Sequence, residues 1–207
     1  MAVCASVGCS SAGAHAPGLR LTTAISGDDV TLTWDGHQSD VVVEFATEEG
    51  GPYTVLDFAP RDENRYEHPD LMPATTFYYR VRPVEGPTSE PAVAVPAAAV
   101  RGEDWLVPRT VPDDRAAPEP GGAPANLLVE SVGTDALRLT WTDNATDEAG
   151  YLVEHEVAGT FQVVFLVDPD VNYTGLIAEG ADPADTYRVR AFHYGVASNV
   201  AHEQTPG

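Results

Sequence analysis

Two short sequence patterns occur twice in this chain at almost the same spacing. Residues 30–35 (Val-Thr-Leu-Thr-Trp-Asp) return as residues 137–142 (Leu-Arg-Leu-Thr-Trp-Thr), so that Trp34 and Trp141 are 107 residues apart. Downstream, the Tyr-Arg-Val-Arg that begins at Tyr79 returns at Tyr187, which is 108 residues later. Two separate landmarks with nearly one offset indicate a duplicated unit of about 90 residues and a connecting segment.

Apolar and polar residues alternate within each unit. Val30, Leu32 and Trp34 alternate with threonines, which places the apolar side chains on one face of a strand. Second strands follow at residues 41–45 and 151–156, which are rich in β-branched and aromatic residues. No stretch shows a sustained helical period. Short strands separated by turn residues predict an all-β sandwich fold.

These units resemble fibronectin type III domains of the bacterial type, present twice. The resemblance depends on the early-strand tryptophans, the Leu-x-Pro-x-Thr at residues 71–75, the two Tyr-Arg-Val-Arg strands, residues 141–151 and residues 197–200. It implies two immunoglobulin-like β-sandwiches in tandem, with four core residues: Trp34, Trp141, Tyr79 and Tyr187. One departure is Phe77, which occupies the tyrosine-corner position of the first unit and lacks the usual hydroxyl.

The resemblance and the composition together predict four segments. Residues 1–16 would be a signal-like segment and tether, 17–96 the first domain, 97–122 a Pro-rich linker and 123–207 the second domain. Four prolines in the linker favour a stiff, extended spacer. Because linkers normally carry no tryptophan, we expect the segment around Trp105 to pack on a domain; an exposed docking motif is the alternative.

The N-terminus resembles the end of a bacterial lipoprotein signal. Residues 1–8 are apolar or small, and Cys9 is followed by two serines. The resemblance implies lipidation of Cys9 and an extracytoplasmic location, either in the cell envelope or secreted. The signal lacks a positively charged start, as if truncated. A short disulfide between Cys4 and Cys9, or two free thiols, are the other interpretations. Nothing else in the sequence resembles a membrane segment.

The charge balance excludes one large class of partners. The chain has 32 acidic residues against 11 basic ones, all of them Arg, for a net charge of −21. Binding of nucleic acid needs a positive surface, which this composition does not supply. Anionic lipid headgroups are disfavoured for the same reason. We therefore expect contact with a membrane only through a lipid on Cys9, and a protein or polysaccharide as partner.

No catalytic motif is present, and we predict no catalytic residue, no cofactor and no metal site. His155 alternates with two glutamates on a strand, so its ring would point away from them. The acidic residues Asp143, Asp147 and Glu148, and those of residues 168–172, could bind calcium but are more typical of turns. The repeated arginines, Arg80 with Arg82 and Arg188 with Arg190, are expected on a solvent face, paired with surface carboxylates.

The sequence thus predicts a non-enzymatic extracytoplasmic protein that uses two modules to bind a partner or to act as a spacer. A first alternative is a carbohydrate-associated accessory protein, in which exposed tyrosines would stack on sugar rings; the candidates are Tyr53, Tyr66, Tyr173 and Tyr194. A second alternative is a structural subunit of a surface filament or phage-like assembly, which would add strands at its sheet edges.

Overall fold

The fold is built from β-strands that pack as layered sheets. A computed structural model describes residues 18–36, 38–97, 106–113, 118–177 and 184–207. Within these ranges there are fifteen strands and no α-helix. The described residues accordingly contain no helix that is long and apolar enough to cross a membrane. The predicted all-β sandwich fold is confirmed.

The strands follow the alternation seen in the sequence. Val30, Leu32 and Trp34 of β2 are each 1% exposed or less, whereas the threonines between them are more open. In chain order the strands are β1 (Arg20–Ser26), β2 (Asp29–Asp35), β3 (Val41–Ala46), β4 (Thr54–Ala59), β5 (Arg65–His68), β6 (Thr76–Glu85), β7 (Ala92–Val93), β8 (Val95–Pro96), β9 (Ala125–Ser131), β10 (Ala136–Thr142), β11 (Gly150–Val157), β12 (Thr160–Val167), β13 (Tyr173–Ile177), β14 (Thr186–Tyr194) and β15 (Ala201–Gln204).

Two hydrophobic cores lie between these sheets. A three-stranded sheet, β1-β2-β5, covers the core that contains Trp34 and Tyr79. A four-stranded sheet, β13-β10-β9-β8, covers the core that contains Trp141 and Tyr187. The opposite layer of both is one eight-stranded sheet, with the path β12-β11-β14-β6-β3-β4 and with β7 and β15 attached. We call β1 to β6 with β15 the first sandwich, and β7 to β14 the second sandwich.

The last strand of the first sandwich comes from the C-terminus of the chain. β15 pairs antiparallel with β6, from Ala201 opposite Tyr79 to Gln204 opposite Thr76. The amide of Asn199 adds two hydrogen bonds of 3.0 Å to the backbone of Leu21 in β1, 178 residues away in sequence. Residues that follow the second sandwich in sequence therefore complete the first.

The second sandwich is completed by the residues that follow β6. β7 pairs antiparallel with β14, and β8 pairs parallel with β9. The N–H of Ser89 donates to the carbonyl of Val189 at 2.8 Å, and the Ser89 hydroxyl accepts from the Val189 N–H. Ser198 makes the same two bonds to Val81 in the first sandwich, at 2.9 and 3.1 Å. The two sandwiches thus exchange their last strands in the same way.

The exchange brings the chain across itself at Gly86. There β6 and β14 pair directly, with Glu85 opposite His193. A Cβ on Gly86 would lie 1.9 Å from the carbonyl oxygen of Ala191, and its φ is +150°. Glycine is required at this position because no side chain fits between the two backbones.

A third apolar cluster lies where the two sandwiches meet. Val42 and Val84 of the first sandwich pack with Leu152 and Phe192 of the second, all at 1% exposed or less. Phe58 adds an edge-on ring contact with Phe192, at 6.4 Å between centroids. The two sandwiches are therefore joined by buried apolar side chains as well as by strand pairing.

The strand pairing differs from the predicted domain boundaries. β7, from the predicted first domain, pairs with β14 of the second sandwich, and residues 201–204 pair with β6 of the first. Contiguous domains at 17–96 and 123–207 would instead pair each of these strands within its own domain. The predicted linker, 97–122, is also not an extended spacer where it is described. Its residues Arg109 and Val111 are hydrogen-bonded to Tyr173 and Asn172, along the second sandwich. Trp105 lies outside the described residues.

We predict that Thr205→Val destabilises the protein although Thr205 lies next to the C-terminus. Its hydroxyl donates to the carbonyl of Met72 at 2.6 Å and accepts from the N–H of Thr75 at 3.0 Å. Loss of these buried bonds should lower the free energy of unfolding by about 1–3 kcal/mol, measured by urea denaturation. The control is Thr22→Val, which removes an exposed bond to Thr33 and should cost under about 0.5 kcal/mol. Equal effects of the two variants would contradict the strand exchange.

Candidate functional site

A buried glutamate holds the first pair of repeated arginines. Glu44 in β3 has a side chain that is 4% exposed. It accepts hydrogen bonds from Arg80 at 2.7 Å and from two nitrogens of Arg82 at 2.9 and 2.7 Å, both arginines being on the neighbouring strand β6. Two cations thus compensate one buried carboxylate. This arrangement meets the condition under which a buried ion pair is tolerated.

The second pair of arginines repeats this cluster at Glu154 in β11. The Glu154 side chain is 1% exposed and accepts from Arg188 and, at 2.7 Å, from Arg190. Arg190 has a further partner, since its guanidinium also contacts Asp40 of the first sandwich at 2.9 Å. The predicted pairing of these arginines with carboxylates is found, but the glutamates are buried rather than solvent-exposed. Arg190 and Asp40 additionally connect the two sandwiches.

Aromatic rings cover three of the four guanidinium groups. Arg80 lies 3.9 Å from the ring centroid of Tyr53, and Arg188 lies 3.9 Å from that of Phe161. Tyr194, at the end of β14, covers Arg82 at 3.6 Å, so this contact also joins the two sandwiches. Rings at these distances attract cations and exclude water from the pairs beneath them.

A cleft of about 620 Å³ opens between the two sandwiches beside the second cluster. One wall consists of loops and strand ends of the first sandwich, and the other consists of the β11–β12 hairpin and β14 of the second. The lining residues are Gln38, Ser39, Asp40, Pro60, Arg61, Asp62, Val84, Glu85, Gly86, Gly159, Thr160, Phe161, Arg188 and Arg190. Its volume lies within the range of clefts that hold small ligands in other proteins.

The two arginine clusters differ at one position, and this difference borders the cleft. By the 108-residue offset, Gly86 is the equivalent of Tyr194. Tyr194 fills the space over Arg82, whereas Gly86 supplies no ring over Arg190. In addition, the Nε of Arg190 is buried and has no hydrogen-bond partner among the residues that the structure describes. Sequence reasoning did not identify this cleft, because its walls come from both sandwiches; the only signal was the repeated Arg-Val-Arg.

The four tyrosines suggested as sugar-stacking platforms are not open rings. Tyr53 and Tyr194 lie under arginines, and Tyr66 packs against the first core. Tyr173 is 5% exposed and lies under Arg109, with 3.6 Å between the guanidinium and the ring centroid. Each of these four rings is therefore at least half-buried and in contact with an arginine or with the first core, unlike the exposed rings that the sequence suggested.

Three carboxylates from the two acidic segments come together in the second sandwich. Oxygen atoms of Asp143, Glu148 and Asp170 all lie within 4.8 Å of one another. Asp143 is fully buried and accepts hydrogen bonds from the Tyr151 hydroxyl and, at 3.0 Å, from the N–H of Ala145. Glu148 accepts from the Asp170 N–H at 3.1 Å. The carboxylates of Asp143 and Glu148 thus accept turn and loop hydrogen bonds from the protein itself.

The histidines and cysteines do not form a catalytic group within the described residues. His155 stacks on Tyr187 at 4.8 Å between centroids, with Asp185 3.5 Å from its Nε2. The His68 ring is 3.1 Å from the Tyr79 hydroxyl, so Tyr79 supplies the hydroxyl that Phe77 lacks. Burial lowers the pKa of His68 and raises that of Tyr79. The candidate lipidation site Cys9 lies outside the described residues, as does Cys4.

Similarity to known proteins is found among solved structures. No protein-family model and no curated protein sequence matches the chain. A Fn3-like protein from Clostridium thermocellum is 30% identical over 32% of this chain and 70% of that chain, with a TM-score of 0.27. A two-domain fibronectin type III segment of chicken tenascin is 15% identical, covering 89% of this chain and 97% of its own, with a TM-score of 0.27. The FN1–FN3 domains of chicken CNTN1 are 19% identical, covering 90% and 66%, with a TM-score of 0.29.

We predict that Glu154→Ala is strongly destabilising. The substitution leaves Arg188 without its carboxylate and Arg190 with Asp40 alone, on a partly buried surface. The free energy of unfolding should fall by about 3 kcal/mol, as measured by urea denaturation. Glu67→Ala is the control, because Glu67 and Arg65 form an exposed pair at 3.6 Å whose loss should cost under about 1 kcal/mol. An effect of Glu154→Ala no larger than that of the control would show that the cluster does not stabilise the fold.

Proposed function

We propose that this chain is a non-catalytic, extracytoplasmic binding and spacer protein whose two sandwiches act as one rigid arm. The observation that carries the proposal is the reciprocal exchange of β15 and β7. Tandem modules that are joined only by a linker bend and twist relative to each other. Here strand pairing, a shared apolar cluster and the Arg190–Asp40 pair all oppose such bending.

The non-catalytic part of the proposal is supported by the surroundings of the titratable groups. Catalytic groups usually have shifted pKa values and face a cleft. In the described part of the chain, shifted pKa values are found at five tyrosines and at His68. Burial is the largest cause in each case, and none of the six lines the cleft. Packing of these side chains therefore accounts for the shifts.

The extracytoplasmic part of the proposal is supported by the N-terminal sequence and the surface charge. The lipoprotein-like segment before Cys9 would anchor the chain outside the cytoplasm. A net charge of −21 would keep a protein on the cell surface soluble and well separated from anionic lipid. A spacer of this kind needs both an anchored end and a stiff body.

We expect the two sandwiches to unfold in one transition. In urea titrations followed by NMR, the amide signals of Leu32 in the first core and Leu139 in the second should disappear at the same urea concentration. Each sandwich contains a strand from the other half of the chain, so neither can unfold alone. The variant Thr205→Val should lower both midpoints equally. A midpoint that falls only for Leu32 would mean two independent modules.

We also expect the natural protein to begin at an acylated Cys9. The measurement is an intact mass of the protein purified from its own organism, compared with the mass of a chain that starts at Cys9 and carries lipid. Replacing Cys9 by Ser should release the protein from the membrane fraction while leaving its unfolding midpoint unchanged. A mass that corresponds to residues 1–207 without lipid would contradict the anchored location.

A further inference from the structure

We propose that the cleft between the sandwiches binds an uncharged, hydroxyl-rich ligand, a neutral oligosaccharide. The proposal rests on the non-catalytic binding function above and names the ligand for it. Three features of the cleft support it: the charges of its lining, its polar side chains that lack hydrogen bonds, and the difference between the two arginine clusters.

The described residues that line the cleft include equal numbers of cationic and anionic side chains. The arginines are Arg61, Arg188 and Arg190, and the acids are Asp40, Asp62 and Glu85. Arg188 already forms an ion pair with Glu154, and Arg190 forms one with Asp40. A ligand anion would meet these acids and the field of a chain with net charge −21. A ligand cation would meet Arg61, whose guanidinium forms no ion pair within the described residues, beside the already paired Arg188 and Arg190. An uncharged polar ligand avoids both repulsions.

Free polar groups along the cleft include both donors and acceptors. The side chains of Gln38, Ser39, Arg61 and Thr160 line the cleft and make no hydrogen bond within the described part of the chain. The carboxylates of Asp62 and Glu85 likewise accept no hydrogen bond within the described part of the chain. A sugar hydroxyl both donates and accepts, so a row of hydroxyls matches such a mixed set of groups. Among the described lining residues three have apolar side chains, Val84, Pro60 and Phe161, which does not suit a hydrophobic ligand.

The cleft is open because one residue differs between two otherwise repeated clusters. Over Arg82, the ring of Tyr194 occupies the space that a ligand would need. At the equivalent position the crossing of β6 and β14 requires Gly86, so the space beside Arg190 stays free. Of the two equivalent positions, only the one beside Arg190 is thus open, and we expect one ligand to bind there per chain.

The binding test uses the folded full chain and ligands that are matched in length. Hexamers of neutral sugars form the first set: β-1,4-glucan, xylan, mannan, α-1,4-glucan and N-acetylglucosamine. Hexamers of galacturonate and of glucosamine are the anionic and cationic comparators. Binding is measured by titration calorimetry and by changes in the NMR amide signals. We expect at least one neutral hexamer to bind with one site per chain, at least tenfold more tightly than both charged comparators, and to shift Gly86 and Thr160.

Two variants locate the site. Thr160→Trp places a large ring in the cleft from the exposed first residue of β12, and should weaken binding at least tenfold. Its control is Thr54→Trp, at the exposed first residue of β4 away from the cleft, which should change affinity less than twofold. Arg61→Ala, in an exposed loop, should weaken binding at least threefold. The folding of each variant is checked by its unfolding midpoint.

Several outcomes would overturn the proposal. Tighter binding of the galacturonate hexamer would make the cleft an anion site, and tighter binding of the glucosamine hexamer a cation site. Neutral binding that Thr160→Trp leaves unchanged would place the site elsewhere. Absence of binding by every neutral hexamer at millimolar concentration would reject the ligand class. Binding of the neutral peptide acetyl-Gly-Ser-Asn-Gly-amide in their place would assign the cleft to a protein partner. None of these outcomes alters the single unfolding transition or the mass of the mature chain.

Discussion

The backbone hydrogen bonds along β6 and β14 hold this molecule together, because each strand receives its outer partner from the other half of the sequence. An unpaired strand edge leaves donors and acceptors without partners and exposes a surface for unwanted pairing. β15 satisfies the edge of β6, and residues 87–93 satisfy that of β14. Each sandwich therefore contains a strand from the other half of the chain, and the two share their backbone hydrogen bonds.

The clusters around the buried glutamates are completed by contacts between the two sandwiches. Glu44 and Glu154 lie next to register shifts in β3 and β11, opposite arginines of β6 and β14. Rings of the same sandwich cover Arg80 and Arg188, whereas Tyr194 over Arg82 and Asp40 beside Arg190 come from the other sandwich. The ion pairs are therefore shielded from water, and removing one carboxylate costs more than at an exposed pair.

Strand type and core were accessible from sequence, whereas the exchange was not. Alternation around Trp34 and Trp141 predicts buried strands, and the 108-residue offset predicts that the unit is repeated. The repeat also makes the exchange undetectable from local sequence. Ser89 and Ser198 make equivalent hydrogen bonds to equivalent strands, so the residues around them are compatible with pairing to either sandwich. The choice depends on the path of the chain after β6 and β14, which local pattern does not determine. Burial of Glu44 and the cleft depend in turn on that path.

The open cleft is a consequence of how the chain crosses itself. β6 pairs directly with β14, and this brings their backbones close together at residue 86. A Cβ on that residue would lie 1.9 Å from the carbonyl oxygen of Ala191. A glycine must occupy that position, and so the ring that Tyr194 supplies to Arg82 has no counterpart over Arg190. A duplicated sequence that folds with exchanged strands can therefore repeat an arginine cluster while leaving the space beside one of the two copies open. The asymmetry arises from a single steric requirement at the crossing.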